Sequence, residues 1–264
     1  MSCWIDLEEA ARALREGDGA EVRIAIIDSG VEVSHPKLNG IKLLDDIAIV
    51  PSGHKLGVVP GNGLDIFGHG TAIASTILSL APRSHIGSIR VLGAHNESRT
   101  EIIQRGVQEA LDRDYRILNC SFGCAVQEQV LLYKSWVDQA YLKGVHVVAA
   151  CNNSDYKILE WPAYFPSVVA VNMIRTLDEA QFFYRKGTLV EFAAMGIDVK
   201  VLWSGGSDKT VSGSSYAAPR LSALLARLLS IFPNIAPLHA KAILHKLAAP
   251  WAGQENKESL EGRL

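Results

Sequence analysis

The sequence has no excess of charge of either sign. Its 26 Lys and Arg stand against 28 Asp and Glu, a formal net charge of −2. The basic residues are scattered, and no basic stripe recurs along one helix face. That removes the electrostatic case for nucleic acid or an anionic membrane surface as a partner. Cysteine is scarce too: Cys3, Cys120, Cys124 and Cys151 are the four. Their spacing fits no zinc pattern, and two fall in or beside expected buried strands. A disulfide framework is therefore not expected, and a reducing, cytoplasmic location is. No apolar run is long enough to span a bilayer. Residues 1–20 are amphipathic and charged, without the basic start and apolar centre of a secretory signal. There is no internal repeat, no low-complexity tract and no linker-like break.

What is present is a dense succession of apolar segments, 48% of 264 residues. One large domain over 21–250 is expected, with a short N-terminal segment at 1–20 and a polar tail at 251–264. Residues 5–16 predict an amphipathic helix. Strands are expected at 23–28, 86–92, 117–121, 145–151 and 168–171, and helices at 68–80, 100–113, 127–143, 217–229 and 238–247. The Gly- and Pro-rich stretch 41–66 reads as loop, and 180–203 as short irregular strands. Strands alternate with helices, and Val145–Cys151 is continuously apolar, as in a strand covered on both faces. The fold class is α/β, three-layered, with a mostly parallel sheet between helices.

In such sheets, functional groups collect at the carboxyl ends of strands. Asp28 ends the first strand, and Asn152 and Asn153 follow the Val145–Cys151 strand. His69 and Ser215 each stand at a helix start. A serine before a helix is ordinarily an N-cap. However, a hydroxyl placed at the positive end of a helix dipole also suits a nucleophile whose reaction builds an oxyanion. Serine is a poor nucleophile at neutral pH. It needs a base to take its proton, an acid to orient and stabilise that base, and donors aimed at the oxyanion. Asp28, His69, Ser215 and Asn152 could supply these parts, in the chain order Asp, His, Ser.

Several segments carry a family likeness. They are Ile26-Ile27-Asp28-Ser29-Gly30-Val31 with Ser34-His35-Pro36, Gly68-His69-Gly70-Thr71, Leu118-Asn119-Cys120-Ser121-Phe122-Gly123, Val147-Val148-Ala149-Ala150-Cys151-Asn152, Trp161-Pro162-Ala163, and Gly213-Ser214-Ser215-Tyr216-Ala217-Ala218-Pro219. In this order they resemble the blocks of the subtilisin-like serine peptidases, the subtilase family, over about residues 20 to 248. The resemblance implies Ser215 as nucleophile, His69 as general base and then acid, and Asp28 as its orienting partner. It implies the Asn152 amide and the Ser215 N–H as the oxyanion hole. It also implies that Ser121, Phe122 and Gly123 pair with an extended substrate.

The chain departs from the family pattern in places. Tyr216 stands where Met is usual, Ser214 where Thr is usual, and Ile73 where a second His is common. Cys151 replaces a small residue and is expected to narrow one wall of the specificity pocket. Glu160, just before Trp161-Pro162, falls at the base of that pocket and predicts a preference for Lys or Arg before the scissile bond. Many family members bind calcium near His-Pro, but here Lys37 follows, and 73–86 is too short for the usual extra loop. No calcium is expected at that site, a different site using Asp45, Asp46 or Asp65 stays open, and no other metal or cofactor is expected. Only about twenty residues precede the first strand. Activity is therefore expected to be restrained by a narrow cleft, by a regulatory partner protein, or by residues 1–20 lying across the site.

The leading expectation is a serine endopeptidase that forms an acyl-enzyme and makes limited cuts in a specific protein or peptide substrate. The alternatives are a catalytically silent peptide-binding module and a peptide ligase or esterase on the same triad.

Overall fold

Strand β1 (Arg23–Asp28) alternates its apolar residues between two cores. Ile24 and Ile26 face one, Ala25 and Ile27 the other. The computed structural model describes residues 5–38, 40–53 and 55–251. Before β1 comes helix α1 (Leu7–Glu16). After it come β2 (Asp46–Ser52), β3 (Lys55–Pro60), α2 (His69–Leu80), β4 (His85–Arg90), α3 (Thr100–Asp112) and β5 (Ile117–Cys120). The chain continues through α4 (Val130–Leu142), β6 (His146–Ala150), β7 (Val169–Ile174), β8 (Phe182–Tyr184), β9 (Phe192–Met195) and the separate hairpin β10 (Val199–Trp203) and β11 (Ser207–Val211). It closes with α5 (Ser214–Ile231), α6 (Pro237–Leu247) and β12 (Ala249–Pro250).

The large sheet has the order β12-β8-β9-β7-β6-β5-β1-β4-β2-β3. From β9 across to β2 every pairing is parallel. Helices α1, α2, α5 and α6 pack on one face, and α3 and α4 on the other. This is the three-layer α/β arrangement expected. β1 lies between β4 and β5, so the chain departs to opposite sides of it. The crevice at such a switch point is where α/β sheets gather functional groups, and Asp28 sits at its lip.

Residues 41–66 are less irregular than expected. β2 and β3 form an antiparallel hairpin that extends the sheet, with Gly53 at φ +60° in its turn. Gly and Pro marked the turn and the edge, and Ile47 and Ile49 carried the strand. Helix α5 begins at Ser214 rather than Ala217, with Gly213 as its cap residue, so Ser215 lies inside the first turn.

Helix α1 does not lie across the cleft. Asp6 caps it through Oδ1, at 2.7 Å from the Glu8 N–H, and Ala10, Ala13 and Leu14 are buried. Arg227, in the C-terminal half of α5, donates to the Leu14 carbonyl at 2.9 Å. At 1.5 Å rise per residue, that puts α1 about 18 Å along α5 from Ser215. Its amphipathic face serves the helix layer, which corrects, for residues 5–20, the expectation that this segment occludes the site. Residues 1–4 and 252–264 lie outside the described residues. Among the described residues, no helix is long and apolar enough to cross a membrane.

Candidate active site

Two carboxylates organise the start of α2. Asp28 is fully buried, and His69 is 3% exposed. The His69 Nδ1 lies 2.9 Å from both Asp28 oxygens. Behind the pair, Asp65 accepts five hydrogen bonds. Its Oδ1 takes the Ser29 hydroxyl at 2.8 Å and the Phe67 and Gly68 N–H groups at 3.1 and 2.7 Å. Its Oδ2 takes the Thr71 N–H at 2.8 Å and the Thr71 hydroxyl at 2.6 Å. Ser29 follows Asp28, and Gly68 precedes His69, so this knot ties the end of β1 to the start of α2. The two segments touch backbone to backbone: a Cβ on Gly70 would lie 2.0 Å from the Gly30 carbonyl oxygen. Only glycine permits that approach.

Burial alone would lower the His69 pKa. The charge and hydrogen bond of Asp28, with a further contribution from Asp65, outweigh it and hold the pKa above the ordinary 6.5. With Nδ1 bound to Asp28, Nε2 is the nitrogen left for a substrate-side proton.

Ser215 reaches the same place from α5. Tyr216, its neighbour, sets its ring edge-on to His69, with centroids 5.3 Å apart. Burial and the Asp28 charge push the Tyr216 phenol up to about 12, so it stays neutral. A run of side-chain bonds pins α5 to β5. The Ser222 hydroxyl donates to Asn119 at 2.9 Å, the Asn119 amide to the Ser121 hydroxyl at 2.9 Å, and that hydroxyl to the Ser215 carbonyl at 3.1 Å. The Ser215 hydroxyl itself donates to the Ser121 carbonyl at 3.2 Å. No hydrogen bond between Ser215 and His69 is present among the described residues.

A model of the subtilase family matches residues 19–262. The chain belongs to the subtilase family. It is 28% identical to subtilisin of Bacillus pumilus over 229 residues, covering 82% of this chain and 79% of that protein. It is 29% identical to subtilisin DY of Bacillus licheniformis over 88% of this chain and 85% of that one. Of subtilisin E from Bacillus subtilis (strain 168) it spans 57%. A solved cold-adapted subtilisin-like serine proteinase superposes with TM-score 0.71 at 27% identity, covering 88% of this chain and 83% of that one. Sphericase, at 24% identity and TM-score 0.73, shares the fold. Subtilases are serine endopeptidases, and the fold and family expected from the sequence are those found.

Within this subtilase the two asparagines after β6 divide differently from expectation. The Asn152 amide does not turn to Ser215. It donates to Glu160 Oε1 at 2.8 Å, while its own oxygen accepts the Ser154 and Asp155 N–H groups at 2.9 and 3.0 Å. Asn153 is the residue beside the serine. Its Oδ1 accepts the Ser214 N–H at 2.8 Å and lies 2.9 Å from the Ser214 hydroxyl. Among the described residues, its amide nitrogen has no acceptor. Adjacent identical residues gave the sequence no means of choosing between them.

Cys151 is also placed differently. It is 5% exposed, and the alternation of β6 carries it with Val147 and Ala149 into the core beneath α3 and α4. Its thiol turns toward Asn172 Oδ1, 3.5 Å away, so it does not narrow the pocket wall. Burial, followed by the Glu160 charge, pushes that thiol up. Ser121 is buried, Phe122 half-buried and Gly123 exposed. The Glu160 carboxylate lies against Gly123, where an added Cβ would come within 2.6 Å of Oε2. The structure thus brings Glu160, Gly123 and Asn152 together.

The residues around His35-Pro36 do not suit the family's calcium. Lys37 forms an ion pair with Asp208, which Lys200 also reaches at 3.2 Å. Asp45 pairs with Arg113 at 2.9 Å, and Asp46 Oδ2 accepts the Gly63 N–H at 2.5 Å while its buried Oδ1 has no partner among the described residues. Among the described residues, no group of three or more His, Cys, Asp or Glu side chains is placed to hold a metal ion.

The sequence did not mark Asp65 as a support of His69, although its position before Gly68-His69 tied it to the site. Its charge favours the His69 cation, so Asp65→Asn should lower the His69 pKa. As the general base that the resemblance implies, His69 must start neutral to take a proton. The acidic limb of the kcat/KM profile should therefore move to lower pH in the variant. A limb that stays in place would show that His69 does not sense Asp65.

Proposed function

We propose that this subtilase is an active serine endopeptidase whose triad is Asp28, His69 and Ser215. The observation that carries the reading is the buried Asp28–His69 pair at 2.9 Å, with Ser215 at the head of α5 beside it. The Ser215 hydroxyl attacks the scissile carbonyl and passes its proton to His69 Nε2. Asp28 holds the imidazole in the tautomer this requires and stabilises its cation. His69 then protonates the leaving amine, and a water repeats the sequence on the acyl-enzyme. Catalytic hydrogen bonds are often unmade before substrate binds. On binding, the Ser215 hydroxyl leaves the Ser121 carbonyl for His69.

The oxyanion donors are the Ser215 N–H and the Asn153 amide. Ser214 fixes the Asn153 oxygen and so leaves the NH2 group for the substrate. Ser121-Phe122-Gly123 adds the substrate as a strand. Glu160, lying against Gly123, selects Lys or Arg before the cut, since an uncharged guest leaves a half-buried carboxylate short of partners. Such a pocket supports limited cleavage of a specific protein or peptide. The free thiols of Cys120, Cys124 and Cys151 support a reducing, cytoplasmic setting. The bond from Ser215 to Ser121 favours a second reading, a silent peptide-binding module.

Fluorogenic peptides varying only the residue before the cut test both readings. Lys and Arg should exceed Phe and Leu in kcat/KM, with all turnover lost in Ser215→Ala. Equal or better cleavage after Phe would sink the basic preference, and turnover surviving in Ser215→Ala would sink the triad. Asn153→Ala should lower kcat about 10²–10³-fold, the magnitude known for such a donor in a subtilisin. An unchanged kcat would remove Asn153 from the oxyanion hole.

A further inference from the structure

We propose that Asn152 is a specificity-determining positioning residue, which latches the Glu160 carboxylate where a basic side chain meets it. This rests on the assignment of Glu160 to the pocket and adds a second residue to it.

The Glu160 backbone is fixed. Its neighbour Trp161 exchanges two hydrogen bonds with Cys124, both 2.9 Å, which anchors this segment beside Gly123. The side chain is not fixed by its stem. Glutamate has three rotatable bonds, and a half-buried carboxylate gains hydration by swinging outward. Asn152 opposes that swing. Its oxygen is held by the Ser154 and Asp155 N–H groups, so its NH2 group has a set direction, and that direction ends on Glu160 Oε1 at 2.8 Å. Gly123 leaves room for the carboxylate to lie against the substrate-pairing segment, because a Cβ there would come within 2.9 Å of Cδ. Among the described residues, Oε2 has no donor. One oxygen is therefore held by the protein and the other is left for a guest.

Two effects of removing the latch oppose each other. Freeing Oε1 offers the guest a second acceptor. Freeing the stem makes each binding event restrict three torsions again. The guest ammonium already has Oε2, so the restriction is the larger effect. Loss of the latch should weaken basic guests about three- to tenfold, in KM rather than kcat.

The test uses Asn152→Ser in the full chain, since serine keeps a turn acceptor for the Ser154 N–H but cannot reach Glu160. kcat and KM are measured for two peptides that differ only in Lys or Phe before the cut. The Lys:Phe ratio of kcat/KM should fall about three- to tenfold, through the KM of the Lys peptide. In a Glu160→Gln background the same substitution should leave the ratio unchanged. An unchanged or higher ratio in Asn152→Ser overturns the latch. So does a loss of kcat common to both peptides, which would make Asn152 an oxyanion donor. A wild type without Lys preference overturns the assignment of Glu160 itself, and the latch with it. A Lys preference that is undiminished in Asn152→Ser overturns the latch alone.

Discussion

The site depends on a carboxylate and an imidazole buried together at the carboxyl end of one strand. Asp28 and His69 come from segments 41 positions apart, and neither is exposed enough for water to satisfy it. Asp28 Oδ1 also accepts the Ser29 N–H at 2.7 Å, and each member of the pair offsets the cost of burying the other. A buried charge without a partner is among the costliest groups a core can hold. Asp65 makes the partnership geometric by drawing Ser29, Gly68 and Thr71 onto one carboxylate. Gly30 and Gly70 then let the two backbones touch. The central helix α5 brings the third group. It lies under the sheet through Ala217, Ala218 and Leu221, and its first turn is fastened to β5 through Ser222, Asn119 and Ser121. The candidate nucleophile therefore stands on two buried supports.

Much of this was legible in the sequence, for physical reasons. β1 and β6 read as buried strands because both of their faces meet helices, which leaves polar residues only at the strand ends. Asp28 and His69 stood out as polar groups at the edges of such runs. The hairpin β2–β3 did not, because Gly and Pro dominate its composition while only alternate residues are apolar. Asn152 and Asn153 could not be separated, because the strand ends there and neither period nor pattern fixes which side chain turns inward. Cys151 went the other way: the alternation that places Val147 and Ala149 in the core also placed it there, and counting along β6 would have found it. The role of α1 depended on which helix its apolar face meets, which is a matter of tertiary contact rather than local pattern.

On the proposed reading, the Glu160 side of the cleft sets this subtilase apart from a general peptidase. A carboxylate, an amide and a bare glycine backbone meet there, and on the proposed reading the side chain before the cut sits against them. None of the three is unusual alone. Together they divide the labour: one carries charge, one gives it direction, and one makes room. Catalysis and selection are then built on different supports. The proposed triad hangs from β1, α2 and α5, while the proposed pocket hangs from the turn after β6 and the Cys124–Trp161 backbone bonds.

The central claim is that His69, backed by Asp28, activates Ser215. The most direct measurement is reaction of the whole chain with a fluorophosphonate, followed by peptide mapping by mass spectrometry in wild type and His69→Ala. The account predicts one adduct, on Ser215, formed in the wild type and lost in the variant. An adduct on another residue, or equally fast labelling of Ser215 without His69, would contradict it.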